Sequence, residues 1–109
     1  MEKQPKWWSA RTRIRDKDPL EDVTRMAEVA YGASSKSRDF AVFSVWEEHD
    51  ETKPYDYRLV YFSPLAALFC KTIIDSGEFM SQECERPSPD EPGLALAVGD
   101  EATAWDLLK

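Results

Sequence analysis

Apolar and polar residues alternate one by one near the start of the chain. From Trp7 to Arg15, the set Trp8, Ala10, Thr12 and Ile14 falls on one side and Trp7, Ser9, Arg11, Arg13 and Arg15 on the other, the period of a strand. The period then changes. In Asp18-Pro19-Leu20-Glu21 the aspartate can cap a helix, the proline fits its first position, and the glutamate completes a capping-box-like pattern. Leu20, Val23, Met26, Ala27, Ala30 and Tyr31 recur at spacings of three and four, one apolar stripe. Gly32 is the natural stop, so a helix is predicted over Asp18–Gly32.

Beyond a short polar loop, Ser37–His49 reads as a strand whose central run Phe40–Trp46 is apolar on both faces. The charged stretch Glu47–Pro54 forms the turn, and Pro54–Ser63 is the returning strand. In it Tyr55, Tyr57, Leu59 and Tyr61 alternate with Asp56, Arg58, Val60 and Phe62. Ser63-Pro64 repeats the cap-plus-proline device and opens a helix over Leu65–Ser76, which Gly77 ends. That helix is apolar almost all round and is expected to be deeply packed. Residues 78–85 fit either an irregular helical extension or a short edge strand. Three prolines make 86–93 a loop. Leu94–Val98 reads as the final strand, and Glu101–Leu108 as a terminal helix that packs through Trp105, Leu107 and Leu108.

The order β-α-β-β-α-β predicts an α+β, ferredoxin-like fold: an antiparallel sheet with helices on one face and an extra short C-terminal helix. The other face is then open, or covered by the C-terminal segment, a second subunit or a protein partner. A chain of 109 residues is expected to form one domain over 1–109, with a flexible N-terminus at 1–6. No run approaches the roughly 18 apolar residues of a membrane span, and the polar start lacks the apolar core of a secretory signal. Two cysteines are too few for a disulfide scaffold, which points to a reduced, cytoplasmic setting.

Charge sharpens this picture. The net charge is −7, yet residues 1–38 hold nine basic and six acidic side chains while residues 78–109 hold two and eight. An acidic second half disfavours nucleic-acid binding, which needs Lys and Arg at phosphates, and favours attraction to basic partners.

Catalytic chemistry finds little to use. His49 is the sole histidine and the cysteines lack CxxC spacing, so no metal site is expected. No GxSxG or glycine-rich phosphate loop occurs. Cys84 is flanked by Glu83 and Glu85, which raise rather than lower a thiol pKa. Although ferredoxin-like architectures include acylphosphatases, their asparagine has no counterpart here, because the chain contains none. No catalytic residue and no cofactor are therefore assigned.

These observations predict a non-enzymatic protein-binding domain, an acidic inhibitor. It would act as an immunity protein for a toxin, or as a phage-type anti-defence protein blocking a nucleic-acid-binding complex. The contacts expected for a basic protein partner are Glu47, Glu48, Asp50 and Glu51 on the hairpin, with Glu83, Glu85, Asp90 and Glu91 on the second acidic stretch. The alternative is a homodimeric ligand- or RNA-binding domain using the open sheet through Trp7, Arg11, Arg13, Arg15, Trp46 and Tyr57, since aromatic and Arg side chains on a four-stranded sheet suit base stacking or an interface.

Overall fold

The computed structural model describes residues 6–14, 20–33, 39–46, 52, 56–75 and 80–109. The first strand, β1, runs Trp7–Ile14, and helix α1 follows at Leu20–Ala33. Strands β2 (Ala41–Trp46) and β3 (Asp56–Phe62) come next. The second helical stretch is interrupted: α2 covers Pro64–Phe69 and α3 covers Lys71–Ile74. Then come β4 (Met80–Cys84), β5 (Leu94–Gly99), a short α4 (Glu101–Ala104) and a 3-10 turn at Trp105–Leu108. The expected cap at Asp18 lies outside the described residues, as does the start expected to be flexible, 1–6, except for Lys6.

All neighbouring strands run antiparallel, in the order β4-β1-β3-β2-β5. The fold is α+β with a five-stranded open sheet. The last strand, expected at Leu94–Val98, is joined by a second late one: within residues 78–85, which fit a helical extension or an edge strand, Met80–Cys84 is an edge strand that pairs with β1. Leu94–Gly99 lies on the opposite edge, against β2. Consecutive strands thus occupy the two edges, so the segment between them crosses the whole sheet.

Period-two alternation sends side chains to two separate cores. On the helix-covered face Ala10, Val42, Val60, Phe62 and Val98 pack with Val23 and Ala27 of α1, Ala66 and Ala67 of α2, Cys70 and Ile74. On the other face Trp7, Ala41 and Phe43 pack with Ala104 and Leu108 of the C-terminal segment, and Tyr61, Leu94, Leu96 and Trp105 lean on them. Phe43 meets Trp105 edge-on with ring centres 5.0 Å apart, a favoured aromatic geometry. The Trp7–Phe43 end of the second face is therefore covered by the chain itself. Each fully buried Phe or Val contributes roughly 1.5–3 kcal/mol, and Phe40, Phe43, Phe62, Val42 and Val60 are all in that state.

Two boundaries differ from expectation. Gly32 is passed by α1 rather than ending it; an added Cβ there would meet nothing within 4 Å. The second helical stretch, expected to be packed all round, breaks at Cys70 (φ −100°, ψ 19°) and leaves Leu68 69% exposed and Phe69 44% exposed.

Ser63 joins the helix layer to the sheet. Its hydroxyl accepts from the backbone N–H of Ala41 (2.9 Å) and of Ala66 (3.3 Å), and donates to the carbonyl of Asp39 (2.7 Å). Its own N–H donates to the Ala41 carbonyl at 2.9 Å. One buried side chain thus caps α2 and fixes where β2 begins. Gly99 has φ 135° and ends β5 where an added Cβ would stand 2.9 Å from the carbonyl oxygen of Phe40. Only glycine fits that crossing.

Candidate functional site

The acidic residues expected to meet a partner separate into two groups. Glu47, Glu48, Asp50 and Glu51 lie outside the described residues, as does His49. The second group is described. Glu83 sits on β4, opposite Trp8 of β1, and is exposed. Glu85 is exposed just after the strand, and Asp90 is exposed in the turn that carries the chain across the sheet. Glu91 differs: it is half-buried, and its carboxylate accepts from the Tyr61 hydroxyl at 3.4 Å. That contact ties the crossing loop to the middle of the sheet.

The loop has its own fastenings. The Ser88 hydroxyl accepts from the Asp90 N–H (3.2 Å), and the Glu91 N–H donates to the Ser88 carbonyl (3.1 Å). Leu94 N–H then donates to the Glu91 carbonyl (3.2 Å) as β5 begins. Pro87 is buried, whereas Asp90 faces water. Among the described residues, no cation forms an ion pair with Glu83, Glu85 or Asp90; the described ion pairs are local helical ones, Arg25–Asp22, Lys71–Asp75 and Lys109–Asp106. Three exposed carboxylates therefore retain their field for an external charge.

Register sets the alternative-surface positions Trp7, Arg11, Arg13 and Tyr57 in phase along β1 and β3, with Trp46 out of phase with them. Trp7 is 9% exposed, its ring 6.3 Å from that of Phe43 inside the second core. Arg11 is half-buried, opposite Leu59 on one side and Met80 on the other. Arg13 stands opposite Tyr57, and Trp46 opposite Arg58. Arg15 lies outside the described residues. The C-terminal segment occupies the Trp7–Phe43 end of this face.

The thiols are held protonated. Burial pushes Cys70 from 9.0 to about 11. Cys84 is also raised, chiefly by burial, with a hydrogen bond to Ser9 opposing the shift. The flanking glutamates expected to raise it are not the cause. Neither thiol has the depressed pKa of an activated nucleophile. Among the described residues no group of three or more His, Cys, Asp or Glu side chains converges to hold a metal, and no helix is long and apolar enough to cross a membrane.

Sequence reasoning missed two surfaces. One is a groove of about 860 Å³ between Trp7, Pro64, Leu65, Leu68 and Leu107, rimmed by Asp39 and Arg86. The Arg86 guanidinium donates to the Lys109 carbonyl at 2.7 Å. The groove runs past Leu68, which α2 leaves exposed although the helix reads as apolar almost all round, and no composition signal marks it. The other is apolar residue exposed on α1, Met26 at 49% and Val29 at 72%. Met26 belongs to the stripe read from the sequence, at its margin rather than its centre. Comparison with protein-family models, with curated proteins and with solved structures finds no significant match to this chain.

Proposed function

We propose that the chain is a non-enzymatic protein-binding domain that recognises a basic partner through its acidic surface and inhibits it. In this reading the sheet is a ferredoxin-like frame extended by one strand beside β2. The observation that carries the proposal is the state of Glu83, Glu85 and Asp90: exposed, and without an ion pair among the described residues. On a chain of net charge −7, such carboxylates steer a basic protein and can occupy a site that otherwise receives phosphates. A toxin countered by an immunity protein, or a nucleic-acid-binding defence complex blocked by a phage-type protein, has that chemistry.

The thiols support the non-enzymatic part, since both are shifted away from the nucleophilic form. Against the open-sheet alternative stands the C-terminal cover over Trp7 and Phe43.

The test is capture from the native host with the purified chain and with two charge-reversed variants, one at Glu47, Glu48, Asp50 and Glu51, the other at Glu83, Glu85, Asp90 and Glu91, each to Lys. The expected result is a basic protein retained by the native chain, lost with at least one variant, and inhibited stoichiometrically when the chain is added. Retention indifferent to both reversals, or a captured protein whose activity is unchanged, overturns the reading.

A further inference from the structure

The two edges of the sheet are built differently. Edge strand β4 is Met80-Ser-Gln-Glu-Cys84, with a charged residue inside it and Glu85 directly after. Charges of this kind discourage a foreign strand from pairing. Edge strand β5 is Leu94-Ala-Leu-Ala-Val-Gly99, with neither charge nor proline. Its one side is taken by β2, and among the described residues no strand pairs with the other. The only blunting device it carries is a register irregularity near Ala97, where Val42 faces Val98 while Phe43 faces Leu96. An antiparallel edge of this type leaves a row of backbone donors and acceptors toward solvent.

The helix that packs against this strand exposes two apolar residues, Met26 and Val29. α1 packs against β5, and through Tyr31 it also reaches Phe40 and so the α2 side, with ring centres 5.4 Å apart. Met26 and Val29 stand about 140° and 160° around the helix from Tyr31, by the 3.6-residue turn. They are therefore on the side of α1 turned away from Tyr31 and the core it packs on, and both are exposed. The strand is bracketed by acid pairs as well: Asp90-Glu91 precedes it and Asp100-Glu101 follows it. Asp90, Asp100 and Glu101 are exposed, and one Asp100 carboxylate oxygen accepts from the Ala102 N–H at 3.2 Å while capping α4.

We infer that β5 is a docking edge to which a partner protein adds a β-strand flanked by Lys or Arg at both ends, with apolar side chains of the partner covering Met26 and Val29. Charge decides the occupant. A second copy pairing antiparallel through β5 would bring Asp90-Glu91 of one chain beside Asp100-Glu101 of the other, four acids at each end of the new ladder. A strand with basic flanks converts the same positions into favourable contacts. Backbone pairing supplies affinity and the flanks supply selectivity. The inference rests on the proposed recognition of a basic partner and names the route by which that partner binds.

The test uses the full chain and three labelled peptides sharing a Val-Thr-Val-Thr-Val centre: one with Lys-Arg at each end, one with Asp-Glu at each end, and the basic one with alternate backbone nitrogens methylated. Binding is read by fluorescence anisotropy at low salt, and its location by amide hydrogen exchange. The basic peptide is expected to bind on the order of tenfold more tightly than the acidic one, and to slow exchange at Leu94–Val98 but not at Met80–Cys84. N-methylation should abolish binding, and the surface variant Met26→Ser/Val29→Ser should weaken it severalfold. If the methylated and unmethylated basic peptides bind alike, or protection falls on β4, strand addition is overturned while recognition of basic partners stands. If no basic peptide binds at low salt, both readings fall.

Discussion

At Ser63 one hydroxyl serves three backbone groups and belongs to two elements at once. Replacing it with alanine leaves the Ala41 and Ala66 N–H groups without their acceptor in a buried site. Ser63→Ala is expected to cost roughly 2–4 kcal/mol, measured by urea unfolding; a loss below about 0.5 kcal/mol would place those donors in other hydrogen bonds. The serine was recognisable as a helix cap because Pro64 follows it. Its grip on β2 was not, because that contact spans 22 residues of chain. Cys70 gives a pH-dependent prediction. Its pKa is raised from 9.0 to about 11, so the neutral thiol is the form the fold favours. The corresponding stability is fully present below pH 9 and is lost as pH rises toward 11, at a slope of up to about 1.4 kcal/mol per pH unit. Comparing unfolding of the native chain and Cys70→Ala between these pH values isolates the effect: the native chain should lose stability more steeply, and equal slopes would refute a buried thiol.

Among the elements, those with strong local signals were legible. The α1 stripe, the Trp7–Ile14 alternation and the cap before α2 each depend on residues within a turn or two, and each appears in the fold. Leu59 and Val60 show where this stops. β3 carries apolar residues at positions of both phases, so either residue fits a core; Val60 is the fully buried one, while Leu59 is half-buried. β4 was ambiguous for a related reason, since a polar edge strand has no apolar alternation to display. Which edge each late strand takes depends on partners more than 30 residues away, beyond any local pattern. The C-terminal element carries the next prediction. Leu108 is 3% exposed, so Leu108→Ala should destabilise by roughly 2–5 kcal/mol. A variant lacking 101–109 should bind an apolar dye, because it bares Trp7, Phe43 and Ala41. Unchanged dye fluorescence would mean that another part of the chain shields that face.

For the whole molecule, the informative property is the distribution of charge over a fold that packs apolar residues on both faces of its sheet. Long-range attraction of a basic partner should fade as salt rises, over a screening length of about 8 Å at physiological ionic strength. Reversing Glu83, Glu85, Asp90 and Glu91 to Lys is expected to lower the association rate by on the order of tenfold at low salt and much less at high salt. Stopped-flow mixing with the captured partner checks this; a change confined to the dissociation rate would mean that these acids grip rather than steer. Of the candidate contacts, Glu91 should behave differently from the rest, because its carboxylate already accepts from Tyr61.

The crossing between β4 and β5 also has a consequence in time. Strands β1, β3 and β2 form the middle of the sheet and are complete by residue 62, whereas both outer strands and the cover of the second face come from residues 80–109. During synthesis the central three strands emerge before residues 80–109 and are free to pair ahead of them. The nascent domain then shows two unguarded edges and a bare apolar face bearing Trp7 and Phe43. All three close only when residues 80–109 pair and pack, so the interval before that step is when this domain is most exposed to misassembly.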